Sequence, residues 1–457
     1  MPELRRISRR LRAGLLAALC LCPLPPQASA QSLPEAGRLV EMDFRLVMAA
    51  MAQRVGANGQ LGLIRAQLPE NAPALAVVGG QFDLSGLSAD HDAVHAGWIT
   101  MTPDGAITLH RPLVVWEGAA LSIPGNAELA LNRATGAFLL NLGTLSLTDA
   151  TVLSAGEASA ASPDFRPFVL TAGTGAAEIL GGRFDGLGYD GAPAFAGFAI
   201  VNGGIFPAIG RSQVERSDFR NLEGLYVDGT KGADLRNNAI HASRGGALTL
   251  KQTTDTSVSG NLIRSASQHG IRITSGATST RLHENRVESA GKIGIFIDGA
   301  SRDVLLERNL VTDAESDGVL VRRAHCVQLR QNAVRASGGN GIEIRQSTSV
   351  TLSGNRLEHS RRAGVLLSQQ PPGTETALSA NVFMANTTGL SGAAPARLHL
   401  VGNDFTGQFP RLVAGDLALV ARGLFADPAG AHPVILEPAG GTALSGFRSD
   451  CPVMEGY

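Results

Sequence analysis

Between Leu225 and Ser368 the chain repeats one short phrase: a small residue, then apolar and polar positions in alternation. It reads Leu248-Thr-Leu-Lys after Ala247, Ile271-Arg-Ile-Thr after Gly270, Ile295-Phe-Ile-Asp after Gly294 and Val319-Leu-Val-Arg after Gly318. Ile342-Glu-Ile-Arg and Val365-Leu-Leu-Ser follow Gly341 and Gly364 in the same way. A period of two over four or five residues predicts a strand with one buried face. Nine residues before each of these small residues stands an Asn: Asn238, Asn261, Asn285, Asn309, Asn332 and Asn355. The series runs on to Asn381 and Asn403, with spacings of 23, 24, 24, 23, 23, 26 and 22 residues.

A repeat of this length, with β-branched residues in the strand slots and no 3.6-residue apolar stripe, makes helical and Leu-rich solenoids poor competitors. It predicts an all-β chain, a single-stranded right-handed parallel β-helix, each coil making about three strands joined by bends. The Asn residues are expected to bond the turn backbone and to stack as an amide ladder, a structural role. The small residue is expected to allow a bend that a side chain would hinder.

Upstream the repeat weakens. Arg216-Ser-Asp-Phe219 is a faint copy leading to Leu225-Tyr-Val-Asp228, and the phrases Val78-Gly-Gly-Gln-Phe82 and Leu180-Gly-Gly-Arg-Phe184 point to earlier coils with long insertions. An open solenoid end exposes core and unpaired edges, so it needs a cap. The segment Leu39–Val55 reads as an amphipathic helix in that role. The organisation expected is a leader at 1–30, a cap segment with that helix at 31–60, irregular coils at 61–216, the regular Asn-ladder helix at 217–406 and a C-terminal cap or tail at 407–457.

The N-terminus changes the charge picture. Arg5, Arg6, Arg9, Arg10 and Arg12 precede an apolar run from Ala13 to Leu21 and then Ala28-Ser-Ala30, the anatomy of a cleaved secretory signal. Leu19 and Leu21, before Cys20 and Cys22, argue against lipid attachment there. Cleavage leaves 34 basic and 39 acidic residues, net −5, in place of −1 for the whole chain. A periplasmic or secreted, mildly acidic protein is the result, with no membrane span after cleavage and no affinity for nucleic acid expected. Only Cys326 and Cys451 remain, too few for a disulfide framework, though a single bond between them stays open.

In each coil the second and fourth residues after the small one point outward, which stacks two lengthwise rows. They read Tyr226, Asp228; Thr249, Lys251; Arg272, Thr274; Phe296, Asp298; Leu320, Arg322; Glu343, Arg345; Leu366, Ser368. One reading is a solvated face, since exposed strand positions are charged by default. The other is a shallow groove for a linear acidic polymer. Arg272, Arg322 and Arg345 would fork onto carboxylates, Tyr226 and Phe296 would offer flat surfaces to sugar rings, and Asp228, Asp298 and Glu343 would complete the binding surface. His269 precedes Gly270, near Arg272 and one coil from Lys251. That trio has the chemistry to remove a proton next to a carboxylate, with Lys251 or His269 as base and Arg272 neutralising the acid. A His beside a turn is also commonly structural. His241, His325 and His359 lack metal-ligand spacing, so no metal and no cofactor are expected, a bound Ca²⁺ being left open.

Several phrases resemble the periplasmic mannuronan C5-epimerases of alginate biosynthesis, and more loosely the pectate-lyase-like β-helix group. They are Ile107-Thr-Leu-His-Arg-Pro-Leu-Val-Val115, Gly136-Ala-Phe-Leu-Leu140, Arg166-Pro-Phe-Val-Leu170, Arg183-Phe-Asp-Gly-Leu-Gly-Tyr189, Ser316-Asp-Gly-Val319 and Asn340-Gly-Ile342. The likeness spans about Gly105 to Gly407 and implies a pectate-lyase-like solenoid, an acidic polysaccharide as partner and a connection to polysaccharide export machinery. That family's hallmark, Asp-Pro-His-Asp, falls on Thr249-Leu250-Lys251-Gln252, where none of its residues is present, and the Arg expected after it falls near Ser275 or Gly276. Lys251 takes the place of the family's basic His. Two functions follow: an epimerase-like or lyase-like enzyme on a polyuronate, and a non-catalytic polysaccharide-binding or export scaffold. A surface protein acting through protein contacts is a third.

Overall fold

Stacking coils of alternating strands lets each backbone pair with the coil before and the coil after, which here builds three long sheets. The computed structural model describes residues 36–56, 60–67, 72–203, 207–395, 397–437 and 451. They lie within one compact unit, Glu35–Tyr457. The leader expected at 1–30, and most of the tail beyond residue 437, fall outside the described residues. Among those described, the sheets hold 15, 14 and 13 strands, paired in parallel except at their ends. The chain is a right-handed parallel β-helix with a helical N-terminal region, as its periodicity predicts.

The coil at Asn261 illustrates the construction. Its strands are Leu262–Arg264, Ile271–Thr274 and Thr278–His283, one in each sheet. The corners are turned by residues with positive φ: Gly260 (63°), Ser265 (57°), Ser275 and Gly276 (58° and 81°) and Glu284 (52°). The residue before every ladder Asn from Asn238 to Asn403 has this left-handed conformation, which swings the Asn side chain inward. There each amide is saturated. Asn309 Nδ2 donates to Leu282 O (2.8 Å) and Asn332 Oδ1 (3.0 Å), and its Oδ1 accepts from the backbone and side chain of Asn285. The same pattern links each neighbouring pair from Asn238 to Asn403.

The small residue has a different reason from the one expected. Gly270 and Gly294 are not left-handed; instead, a Cβ on either would stand 2.6 Å from a carbonyl oxygen of the next coil, Gly294 O and Gly318 O respectively. At these two glycines close contact between coils, and not the bend, leaves no room for a Cβ. The two Gly-Gly phrases also separate: Gln81–Asp83 and Arg183–Asp185 belong to different sheets, because a glycine corner suits either bend.

The N-terminal segment divides at Asp43. Arg38–Met42 is a strand antiparallel to Ala74–Val78, and the helix is Phe44–Val55, capped by Asp43 Oδ1 accepting from Arg45 N (2.8 Å). The alternation Leu39, Val40, Glu41 suits an edge strand, and an N-cap Asp ends it. Phe44, Val47, Met48 and Met51 pack against the outer face of the 15-stranded sheet, on Ala74, Ala76, Leu140 and Leu170. The open end of the core is instead plugged by two short helices, Ser85–Ala89 and His91–His95, through Leu87 and Ala93. At the other end Leu417, Ala421 and Leu424 close the core. No helix among the described residues is long and apolar enough to cross a membrane. Cys326 and Cys451 are joined by a disulfide, with Cα atoms 5.3 Å apart.

Candidate functional site

The outward rows stand in the register the repeat predicts. Tyr226 pairs with Thr249, Thr249 with Arg272, Arg272 with Phe296, Phe296 with Leu320, and Leu320 with Glu343. Asp228 pairs with Lys251 and Arg322 with Arg345. All lie on the sheet that contains Leu248–Lys251, called the groove sheet below. Upstream, the same row is Ala76, Val114, Leu140, Leu170 and Ala199, every one at 0 % exposure. The outer face is therefore sealed by apolar packing as far as Tyr226, and turns polar and partly accessible at Thr249 and Arg272.

At this boundary lies a cleft of about 510 Å³. Its floor is Tyr226, Thr249, Lys251 and Arg272, and its wall is the insertion around Tyr189, Asp190 and Pro193, with Glu223 beside it. Lys251 Nζ lies 2.9 Å from Asp228 Oδ2, and the Tyr226 hydroxyl donates to that same oxygen at 2.9 Å. Burial, and then the Asp228 charge, hold the Tyr226 phenol well above its ordinary pKa, so it stays a donor. Tyr226 is 8 % exposed: its hydroxyl reaches the cleft, but its ring is not a free platform.

One coil further the cations converge. Asp298, 3 % exposed, receives Arg322 Nη2 at 2.8 Å, Arg272 Nη2 at 3.3 Å and Arg323 Nη2 at 3.7 Å. The guanidinium carbons of Arg272 and Arg322 lie 5.5 and 4.8 Å from the centre of the Phe296 ring. Phe296 is buried beneath them and against His269, so its ring offers no open platform to a sugar. One carboxylate against three guanidinium groups leaves this part of the groove with excess positive charge.

That field reaches His269. Burial first, then Arg272, Lys292 and Arg322, push its pKa down to about 4, so the ring is neutral near pH 7. Its Nδ1 accepts from Ile293 N at 3.3 Å, which puts the ring proton on Nε2. His269 is thus arranged to donate a hydrogen bond, its basic lone pair being already engaged. Its ring leans on Phe296, centroids 5.1 Å apart.

Toward the C-terminus, Glu343 accepts from Arg345 Nε (3.1 Å) and from the Ser368 hydroxyl (2.8 Å). Asp317 faces it and takes two bonds from Asn340, from N at 2.7 Å and Nδ2 at 3.0 Å. Burial and the neighbouring Glu343 raise the Asp317 pKa. Burial, aided by Asp190 and opposed by Arg244, likewise raises that of Glu223.

Glu223, Asp317 and Asn340 were not among the site residues read from the sequence, although Asp317 and Asn340 lie in phrases that carry the family resemblance. Each immediately precedes the small residue of its coil, as His269 does, and that third row was legible in the repeat. The structure brings Lys251 and Arg272 into one cleft and groups His269, Phe296, Asp298 and Arg322 next to it. Glu343 and Arg345 form a separate pair further along. Among the described residues no group of three or more His, Cys, Asp or Glu is placed to hold a metal.

The chain matches the model of the right handed beta helix region over residues 197–321 and 274–418. The crystal structure of the periplasmic alginate epimerase AlgG superposes with a TM-score of 0.67 at 17% identity, covering 83% of this chain and 93% of that one. A point mutant of the same protein gives a TM-score of 0.67 at 16% identity, covering 89% and 99%. The A-module of the Azotobacter vinelandii mannuronan C-5 epimerase AlgE4 gives 0.49 at 13% identity, covering 72% and 93%. At these identities the likeness is one of fold. No curated protein sequence matches the chain.

Proposed function

We propose that this chain is an exported, carbohydrate-active β-helix protein that takes an acidic, uronate-containing polysaccharide along the groove sheet and acts on it by removing the proton next to a carboxylate, as a C5-epimerase or lyase does. The observation that carries this reading is the convergence of Arg272, Arg322 and Arg323 on one carboxylate, Asp298, with Lys251 in the same cleft as Arg272. A proton beside a carboxylate is very weakly acidic until a cation takes up the charge that develops. Arg272 is placed to do that, and Lys251 is the amine in reach. Before accepting a proton Lys251 must first pass one on, and Asp228, 2.9 Å away, is the acceptor at hand. His269 contributes an Nε2–H donor to the bound sugar. The fold shared with the periplasmic alginate epimerase supports the substrate class, and the Cys326–Cys451 disulfide supports an oxidising, extracytoplasmic home.

The test incubates the processed protein with alginate and other polyuronates in deuterated water. NMR follows exchange at C5 and absorbance follows unsaturated chain ends. The expected result is one of these two signals, lost in Lys251→Ala and Arg272→Ala. Turnover that survives both substitutions removes the site from consideration.

A second reading, a non-catalytic polysaccharide-binding or export scaffold, is favoured by Thr249-Leu250-Lys251-Gln252 standing where the epimerase family keeps its catalytic motif. Binding of polyuronates without turnover on any of them would establish it.

A further inference from the structure

The outer row of the groove sheet changes character at a single step. Through Ala199 it is apolar and covered: the helix Phe44–Val55 and the rings of Phe138, Phe165, Phe168 and Phe195 lie over it in one continuous apolar cluster. That cluster ends at Tyr226, which is 8 % exposed. Beyond it Thr249 and Arg272 are partly exposed, and Phe296, Leu320 and Glu343 are covered only by neighbouring side chains of the groove sheet. At the far end Leu366 and Ser391 are partly exposed and Ala393 is exposed. A linear polymer lying in the groove therefore finds an open run toward the C-terminal coils and an obstruction toward the N-terminal ones.

The obstruction is built rigidly. The insertion between the strands Arg183–Asp185 and Gly197–Val201 folds back on itself through Tyr189 N to Phe195 O (3.0 Å) and is tied down by Gly188 N to Pro167 O (2.7 Å). Arg244 reaches across from a later coil and donates to Leu187 O at 3.0 Å, and also to Gly188 O and Asn221 O. Tyr189 stacks on Phe195 with centroids 5.6 Å apart. Behind Pro193 a smaller space of about 210 Å³ remains beside Tyr226 and Lys251, and its far side is the C-terminal end of the helix, Val55 and Gly56. A wall held by buried aromatic rings and an arginine clamp is part of the scaffold, unlike a flap.

We propose that the groove receives the end of its polysaccharide and not its middle. The terminal sugar abuts the Tyr189–Pro193 wall, in the cleft that holds Lys251 and Arg272, and the rest of the polymer leaves over the Arg322 and Arg345 coils. This rests on the reading of the groove as a polyuronate site. It adds that the group acted on or recognised is a chain terminus, so internal residues of a long polymer are not engaged.

The experiment compares three forms of mannuronan and of polygalacturonate oligomers longer than the groove: unmodified, coupled to a bulky protein at the reducing end, and coupled likewise at the non-reducing end. Affinity for the intact processed protein is read by titration calorimetry. The expected result is asymmetric: one coupling weakens binding by roughly tenfold or more while the other leaves it within about twofold of the free oligomer. Equal effects of the two couplings, both tolerated or both disruptive, overturn end recognition while leaving polyuronate binding intact. Failure of every unmodified oligomer to bind defeats the polyuronate reading, and end recognition with it.

Discussion

Arg322 lays its guanidinium over the ring of Phe296, 4.8 Å from the ring centre. Arg272 occupies the other neighbouring coil, and Asp298 ties both to the floor. The ring spaces the two cations and the carboxylate orients them. Asp298→Ala removes the buried carboxylate that the three guanidinium groups share, while the arginine side chains themselves are 31, 40 and 59 % exposed. Solvent screens part of their repulsion, so the expected cost is about 2 kcal/mol of stability, read as a lower denaturation midpoint. Phe296→Leu keeps Asp298 and should cost only about 1 kcal/mol. Equal effects of the two substitutions would contradict this division of labour.

Polyuronate affinity should depend on cations of the groove and not on the protein's net charge. Arg272→Ala and Lys251→Ala are each expected to weaken binding roughly tenfold. Arg286→Ala, on a different sheet and paired with Glu288, is expected to leave it unchanged. Calorimetric titration at two salt concentrations separates a local contact from a general field effect.

Acid should destabilise the protein through His269. Its folded pKa of about 4 lies below the ordinary value of 6.5, so between those values the unfolded chain binds a proton that the folded one refuses. Its contribution makes stability fall as pH drops from 6.5 towards 4 and level off below that window. His269→Gln is expected to flatten the stability profile there, and the ring resonances of His269 should titrate near pH 4 by NMR.

Substitutions in the ladder report on polar satisfaction. Asn309→Asp has nearly the same shape but turns a donor into an acceptor facing Leu282 O and Asn332 Oδ1. It should cost about 3 kcal/mol or more, as much as Asn309→Ala. A mild effect of Asp, measured by thermal or chemical unfolding, would mean that the ladder is filled rather than bonded.

Protein isolated from an extracytoplasmic compartment should show no free thiol before reduction and two after it, with Cys326 and Cys451 recovered in one linked peptide. Thiol alkylation with peptide mapping decides the point.

The rows were legible because a period of two within a strand and a spacing of 22 to 26 residues between coils leave little freedom of register. Lys251 and Arg272 could thus be placed on one face from the sequence. Alternation tells which way a side chain points, but not what lies over it. Tyr226 and Phe296 point outward as expected, yet neighbouring coils cover them. The wall was not legible, because Tyr189 and Pro193 lie in an insertion with no repeat to align, and its anchor, Arg244, is 57 residues from Leu187. His269 reads from sequence as a base; only the bond from Ile293 N shows which nitrogen holds the proton.

Each sheet of the stack finishes, at one end, in a strand that runs the wrong way: Arg38–Met42, Ile99–Met101 and Val434–Leu436 are all antiparallel to their neighbours. A second molecule approaching the N-terminal end therefore meets reversed polarity in two of the three sheets, and one approaching the C-terminal end in one. A rod made of repeating coils is the shape most prone to lengthen into fibres. The reversed strands remove the parallel template from three of the six sheet ends, so end-to-end growth cannot continue all three sheets at once.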